Sequence, residues 1–128
     1  MDLTAYFLVG AGSALGGVLR YALAQAITAG EAPGAFPWGI LVVNLLGCLA
    51  MGVAFVLIER TPLKLLVMTG ILGGFTTFSS FSLISLDLLQ RGRLDVAMGY
   101  IAASVLGCLL AVWLGALATG AVRNATGG

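Results

Sequence analysis

Histidine is missing from all 128 residues, and charged side chains make up only 9% of them. The first absence removes the usual acid/base group and the commonest metal ligand. The second falls far below the roughly 25% of a soluble domain. Cysteine is limited to Cys48 and Cys108. Both lie in apolar runs without metal-ligand spacing and read as small buried side chains. A net charge of +1 provides no basic field to attract nucleic acid. No linker, sequence repeat or low-complexity tract divides the chain, so residues 1–128 read as one domain.

What is abundant is oil: 60% of the residues are hydrophobic. A fold this short leaves much of its surface exposed and cannot hide that area in one aqueous core. Lipid must be the solvent, which makes this an all-α integral membrane protein. A signal peptide opens with positive charge. This chain opens with Asp2 and stays apolar, so the first segment reads as a retained span.

A spanning helix needs about 20 apolar residues. Four segments qualify, near Thr4–Ile27, Pro37–Ile58, Pro62–Leu89 and Asp95–Val122. Pro37 suits a first turn and Trp38 the interface. Thr61 reads as the cap of the third span, with Pro62 behind it and Gly92 past its end. Asp95 favours the start of the fourth. The connectors are the short strings "TAGEAPGAF", "ERT" and "QRGRL", and "NATGG" reads as a frayed tail. Gly12 and Gly16 have the spacing of close helix packing, continued by Gly107, Ala111 and Gly115. Glycine is common in membrane helices, and that simpler explanation is preferred for these positions.

Positive charge is split evenly. Arg60, Lys64 and Arg123 fall on one side of the membrane, and Arg20, Arg91 and Arg93 on the other. Lys/Arg asymmetry sets orientation, and here there is almost none. The chain is therefore expected to insert both ways up and to pair with an inverted copy as an antiparallel, dual-topology dimer. The alternative is one orientation set by finer cues.

The five carboxylates, Asp2, Glu31, Glu59, Asp87 and Asp95, all lie at or near span ends. A proton-coupled small multidrug exporter, also a four-span dual-topology dimer, needs one at mid-depth. An intramembrane enzyme needs a His, Lys or carboxylate there to activate a serine. The chain is expected not to be an enzyme. A purely structural subunit would not require the polar features that follow.

Residues 73–82, "GGFTTFSSFS", place two glycines, two threonines and three serines near the middle of the third span. Irregular backbone at that depth survives only inside protein or beside water. Gly73 and Gly74 are expected to weaken the helix, and Thr76, Thr77, Ser79 and Ser80 to bond the freed backbone groups. The third helix should break there into two half-helices. Two such turns facing one another in a dimer could make an oxygen cage for a monovalent cation. From residue types alone a kink with no ligand is the simpler outcome.

Phe78 and Phe81 would share a face of the resumed helix. Packing is their ordinary role, yet their positive ring edges could also favour a small anion. Asn44, within the second span, could donate to an anion or to a neighbouring helix. Tyr100, Ser104 and Cys108 form a stripe on the fourth span. The Tyr100 and Ser104 hydroxyls could donate along a path or bond back to helical carbonyls. Arg20 shares a face with Ser13, Gly16 and Gly17, and either snorkels or guards a cavity mouth.

The run "GILGGFTTFSSFS" at 70–82, "NLLG" at 44–47, the Arg20 placement and the four-span size resemble the Fluc/CrcB fluoride channels. The similarity spans nearly the whole chain. It implies passive, fluoride-selective export across the cell (inner) membrane by a multi-pass, dual-topology homodimer with two antiparallel pores. It implies pore roles for Asn44, Phe78, Phe81, Tyr100 and Ser104, with Thr77, Ser79 and Ser80 as lesser pore hydroxyls. Phe78 and Phe81 would face different pores of the dimer. Arg20 would sit in the vestibule. Gly73 and Thr76 would offer backbone carbonyls to a structural Na+ at the dimer centre. Two positions depart from the pattern. Ile84 stands where a glutamate is frequent, and Cys108 where a serine would extend the polar track. Both leave room for a subunit of a heterodimeric channel, against which the balanced charge speaks.

Overall fold

The computed structural model describes residues 2–127, and among them every regular element is helical. The elements are α1 (Leu3–Thr28), α2 (Trp38–Leu57), α3 (Thr61–Leu63), a π-helical stretch (Lys64–Leu72), α4 (Gly73–Phe75), α5 (Phe78–Gln90) and α6 (Leu94–Ala125). Four helical runs are long and apolar enough to cross a membrane: α1, α2, the composite run Thr61–Gln90, and α6.

The ends follow local chemistry with small revisions. Asp2 caps α1 by accepting from the Thr4 amide at 3.0 Å. Pro37 is itself the N-cap of α2, so Trp38 opens the helix. Thr61 does not cap the third run: it is the first helical residue, with Arg60 before it and no side-chain bond to the freed amides. Gly92 leaves α5 at φ 71°, a left-handed turn that suits a residue without Cβ. The segment 124–128 is not simply frayed, because α6 continues through Ala125 before a turn; Gly128 lies outside the described residues.

Packing rests on glycine contacts, which corrects the preference for incidental glycines. A Cβ on Gly12 would come 2.6 Å from the Leu66 carbonyl oxygen, and one on Gly16 would strike the Ile71 carbonyl. Gly74 returns the contact, its hypothetical Cβ lying 2.5 Å from the Ser13 carbonyl oxygen. These contacts lock α1 against the first half of the third run, with both running the same way. The other pair is α2 with α6, also parallel, where Gly52 meets the Val112 carbonyl and Gly115 that of Leu49. Backbones that approach this closely gain dispersion contacts, which substitute for the hydrophobic drive missing between helices in lipid.

Charged groups gather at the rims. Arg91 bonds Asp87 at 2.7 Å, and that hydrogen bond raises the guanidinium pKa further above its ordinary range. Arg123 bonds Glu59 at 2.9 Å and the Val56 carbonyl at 3.0 Å, tying the end of α6 to the α2–α3 connector.

Candidate functional site

The third run breaks at Thr76 and Thr77, both extended, with ψ of 153° and 117°. Gly73 and Gly74 do not make the break. They are helical, and neither is among the residues with positive φ. Gly74 is instead the small residue that lets Ser13 approach.

The break is held by side chains. The Thr76 amide is the last donor into the first half, reaching the Leu72 carbonyl at 3.0 Å. The next amide, Thr77 N–H, turns away from the helix axis and donates to Asn44 Oδ1 at 2.8 Å. Asn44 Nδ2 donates back to the Thr77 carbonyl at 3.0 Å. Asn44 thus satisfies both backbone groups of one residue at mid-span, where an unsatisfied group would be costly. Thr77 then caps α5, its Oγ1 accepting from the Ser80 amide at 3.1 Å and lying 3.2 Å from Ser79 Oγ. Thr76 Oγ1 bonds back to the Leu72 carbonyl at 3.0 Å. With Thr77 N–H taken by Asn44, the Gly73 carbonyl loses its helical i+4 donor.

A cavity of about 320 Å³ opens beside the break. Its wall includes Asn44, Thr76, Thr77, Phe78, Phe81 and Ser104. Asn44 still has a second N–H at this wall. Phe81 is 8% exposed and Phe78 is 77% exposed. Their centroids are 5.2 Å apart, so the rings are neighbours on one cavity wall that differ in exposure. Behind Phe81 lies the fully buried Tyr100, with centroids 5.5 Å apart, and Phe36 meets Tyr100 edge-on at 6.0 Å.

Several hydroxyls in the helices bond back to a carbonyl one turn earlier. Thr28, Ser82, Ser85 and Thr119 do so at 2.7 to 2.9 Å. Tyr100 Oη and Ser104 Oγ do not. Both are buried, and apart from one another neither has a hydrogen-bond partner among the described residues.

Arg20 and Ser80 are outside this cavity. They line a second one of about 330 Å³ with Tyr21, Ala24, Gln25, Thr28 and Ile40, and Arg20 Nε is buried there without a partner among the described residues. Gly73 lies on the exposed surface and Ser79 is exposed beside the break. Sequence reasoning set Cys108 on the stripe with Tyr100 and Ser104 but missed Cys48 as a wall residue. Both cysteines are half-buried rather than buried, and both line the first cavity. The available signal for Cys48 was spacing, since it follows Asn44 by four as Cys108 follows Ser104.

Comparison with known sequences gives a consistent result. Residues 7–116 match the family model described as "CrcB-like protein, Camphor Resistance (CrcB)". A protein of Rhizobium etli named "Fluoride-specific ion channel FluC" is 50% identical over 104 residues, covering 77% of this chain and 82% of the relative. One of the same name from Francisella tularensis is 48% identical over 117 residues, covering 84% and 88%. Another, from Methylocella silvestris, is 41% identical over 131 residues, covering 95% and 98%.

Proposed function

The chain belongs to the CrcB-like family, and on that premise we propose that it is a passive fluoride-selective channel of the cell (inner) membrane. It exports fluoride from the cytoplasm as a dual-topology homodimer with two antiparallel pores. The relatives' printed names support the ion. The observation that carries the reading for this chain is the pair of buried hydroxyls, Tyr100 Oη and Ser104 Oγ, that have no hydrogen-bond partner among the described residues beyond one another. A buried donor without a partner is disfavoured unless a ligand or water takes the bond.

Fluoride is small and strongly hydrated, so a path must replace water with donors. The free N–H of Asn44, the Ser104 hydroxyl and the positive ring edge of Phe81 would be neutral donors along one wall, with the Tyr100 hydroxyl buried behind it. Neutral groups bind weakly enough to let the ion leave, which conduction requires. Phe78, exposed on this chain, would serve the path of an inverted partner. Thr77, Ser79 and Ser80 hold the break that positions Phe78 and Phe81. Arg20, at the second cavity, would concentrate anions at a vestibule.

A structural Na+ would be held by the Gly73 and Thr76 carbonyls. The residues fit such an ion: the Gly73 oxygen has lost its helical donor, and carbonyl oxygens are hard ligands suited to a hard cation. When bound, the ion would supply positive charge that fixes the two breaks together.

A proton-coupled exporter is less well supported, because no carboxylate lines the wall of the first cavity. The test is Phe81→Ile in liposomes. Fluoride efflux should be lost while the dimer still assembles, and normal efflux would contradict the ring-edge role.

A further inference from the structure

Cys48 and Cys108 serve no purpose in the path just described, yet the fold brings them together. Each is a free thiol, each is half-buried, and each lines the 320 Å³ cavity. Cys48 sits one turn beyond Asn44 on α2, and Cys108 one turn beyond Ser104 on α6. The parallel register of those helices, which sets Gly107 against Leu45 and Gly52 against Val112, brings the two positions to one level of the same cavity wall. The seam between α2 and α6 is rigid. One turn past Cys48, Gly52 rests on the backbone at Val112 and Ala116, so the spacing of the thiols is set by backbone contact.

We propose that Cys48 and Cys108 form a two-coordinate site for a soft d¹⁰ cation, with Hg(II) as the probe, and that filling it obstructs the cavity. The chemistry balances without a redox step. Two S–H bonds break, two S–Hg bonds form, and two protons pass to water. The bis-thiolate complex carries no net charge, so it can be buried in a low-dielectric wall without an ionic desolvation cost. Thiolates select soft ions. Zinc prefers four protein or water ligands in a tetrahedron. The other polar side chains on this wall are Ser104, Asn44, whose carbonyl oxygen is taken by Thr77 N–H, and Thr76 and Thr77, whose hydroxyls are engaged with the backbone. The site therefore favours an ion content with two sulfur ligands.

The binding half of this inference stands without the fluoride reading; the obstruction half rests on it. The experiment reads both. Purified protein is titrated with Hg(II), following the ultraviolet thiolate-to-metal absorbance, and the same samples are assayed for fluoride efflux from liposomes. The expected result is absorbance saturating at one ion per chain, with efflux falling in parallel and restored by a dithiol. In Cys48→Ala and in Cys108→Ala, the concentration for half-block, measured against each variant's own untreated flux, should rise about 100-fold. That is the gain a second tethered ligand supplies through effective concentration. Cys48→Ser lacks the soft ligand equally and serves if the alanine variant does not assemble. Equal block of the wild type and both single variants would overturn the site, as would absorbance that never saturates at one per chain. Saturation without block would overturn the obstruction. Absence of fluoride efflux from the untreated wild type would instead count against the transport reading and leave the absorbance result to judge the site.

Discussion

At the scale of single residues, the informative contrast is between hydroxyls that bond back into their own helix and hydroxyls that do not. Ser85 bonds the Phe81 carbonyl at 2.8 Å, whereas Ser104, equally buried, has no partner among the described residues beyond Tyr100. An unsatisfied buried donor costs about 1–3 kcal/mol. Removing one should therefore not destabilise the protein. Tyr100→Phe and Ser104→Ala are expected to keep or slightly raise the thermal midpoint in detergent while slowing fluoride efflux from liposomes. A large fall in the midpoint with unchanged efflux would assign both hydroxyls to structure. The stripe of Tyr100, Ser104 and Cys108 was legible in the spacing of the sequence. Which hydroxyls would be free was not, because back-bonding depends on side-chain rotamer and on what packs against it. Asn44 was legible only as a choice between an anion and a helix. The structure gives it one bond to each side of Thr77 and leaves one N–H over.

At the scale of elements, the break in the third run was legible as a polar knot, but its mechanism was not. Helix-weakening by Gly73 and Gly74 was the natural inference from propensity. Tertiary packing overrides it, since both glycines stay helical and the extended residues are Thr76 and Thr77. A clamp formed by a side chain 33 positions away leaves no local signature. Asn44→Ala would strand two backbone groups at mid-span, at about 1–3 kcal/mol each. It should lower the thermal midpoint and abolish efflux together, whereas a residue used only by the ion would change efflux alone. Glycine contacts make a second prediction. Gly16→Ala drives a Cβ into the Ile71 carbonyl, and Gly10→Ala meets nothing within 4 Å. The first should cost about 1–3 kcal/mol, as overpacking does. The second should be neutral or stabilising by a few tenths, from helix propensity. Comparable midpoints for the two variants would show that the close approach of α1 to the third run matters little.

At the scale of the whole molecule, four spans were legible from hydropathy alone, with boundaries within three residues of the helices seen. Parallel pairing of α1 with the third run and of α2 with α6 was not, since glycine spacing has no partner until the helices meet. The even division of positive charge predicts insertion in both orientations. Labelling of a tag at the C-terminus should be found on both faces of the membrane in comparable amounts. Adding two lysines near Arg60 should shift the population to one face and reduce active dimers, which an equal split after the addition would contradict. The free hydroxyls, the clamped break and the balanced charge converge on one claim, that neutral donors along a wall replace the water around a small anion. The direct test is anion efflux from liposomes containing the purified protein, with fluoride and chloride compared at equal gradients. The account predicts rapid fluoride loss with chloride retained, and chloride leaving as fast as fluoride would contradict it.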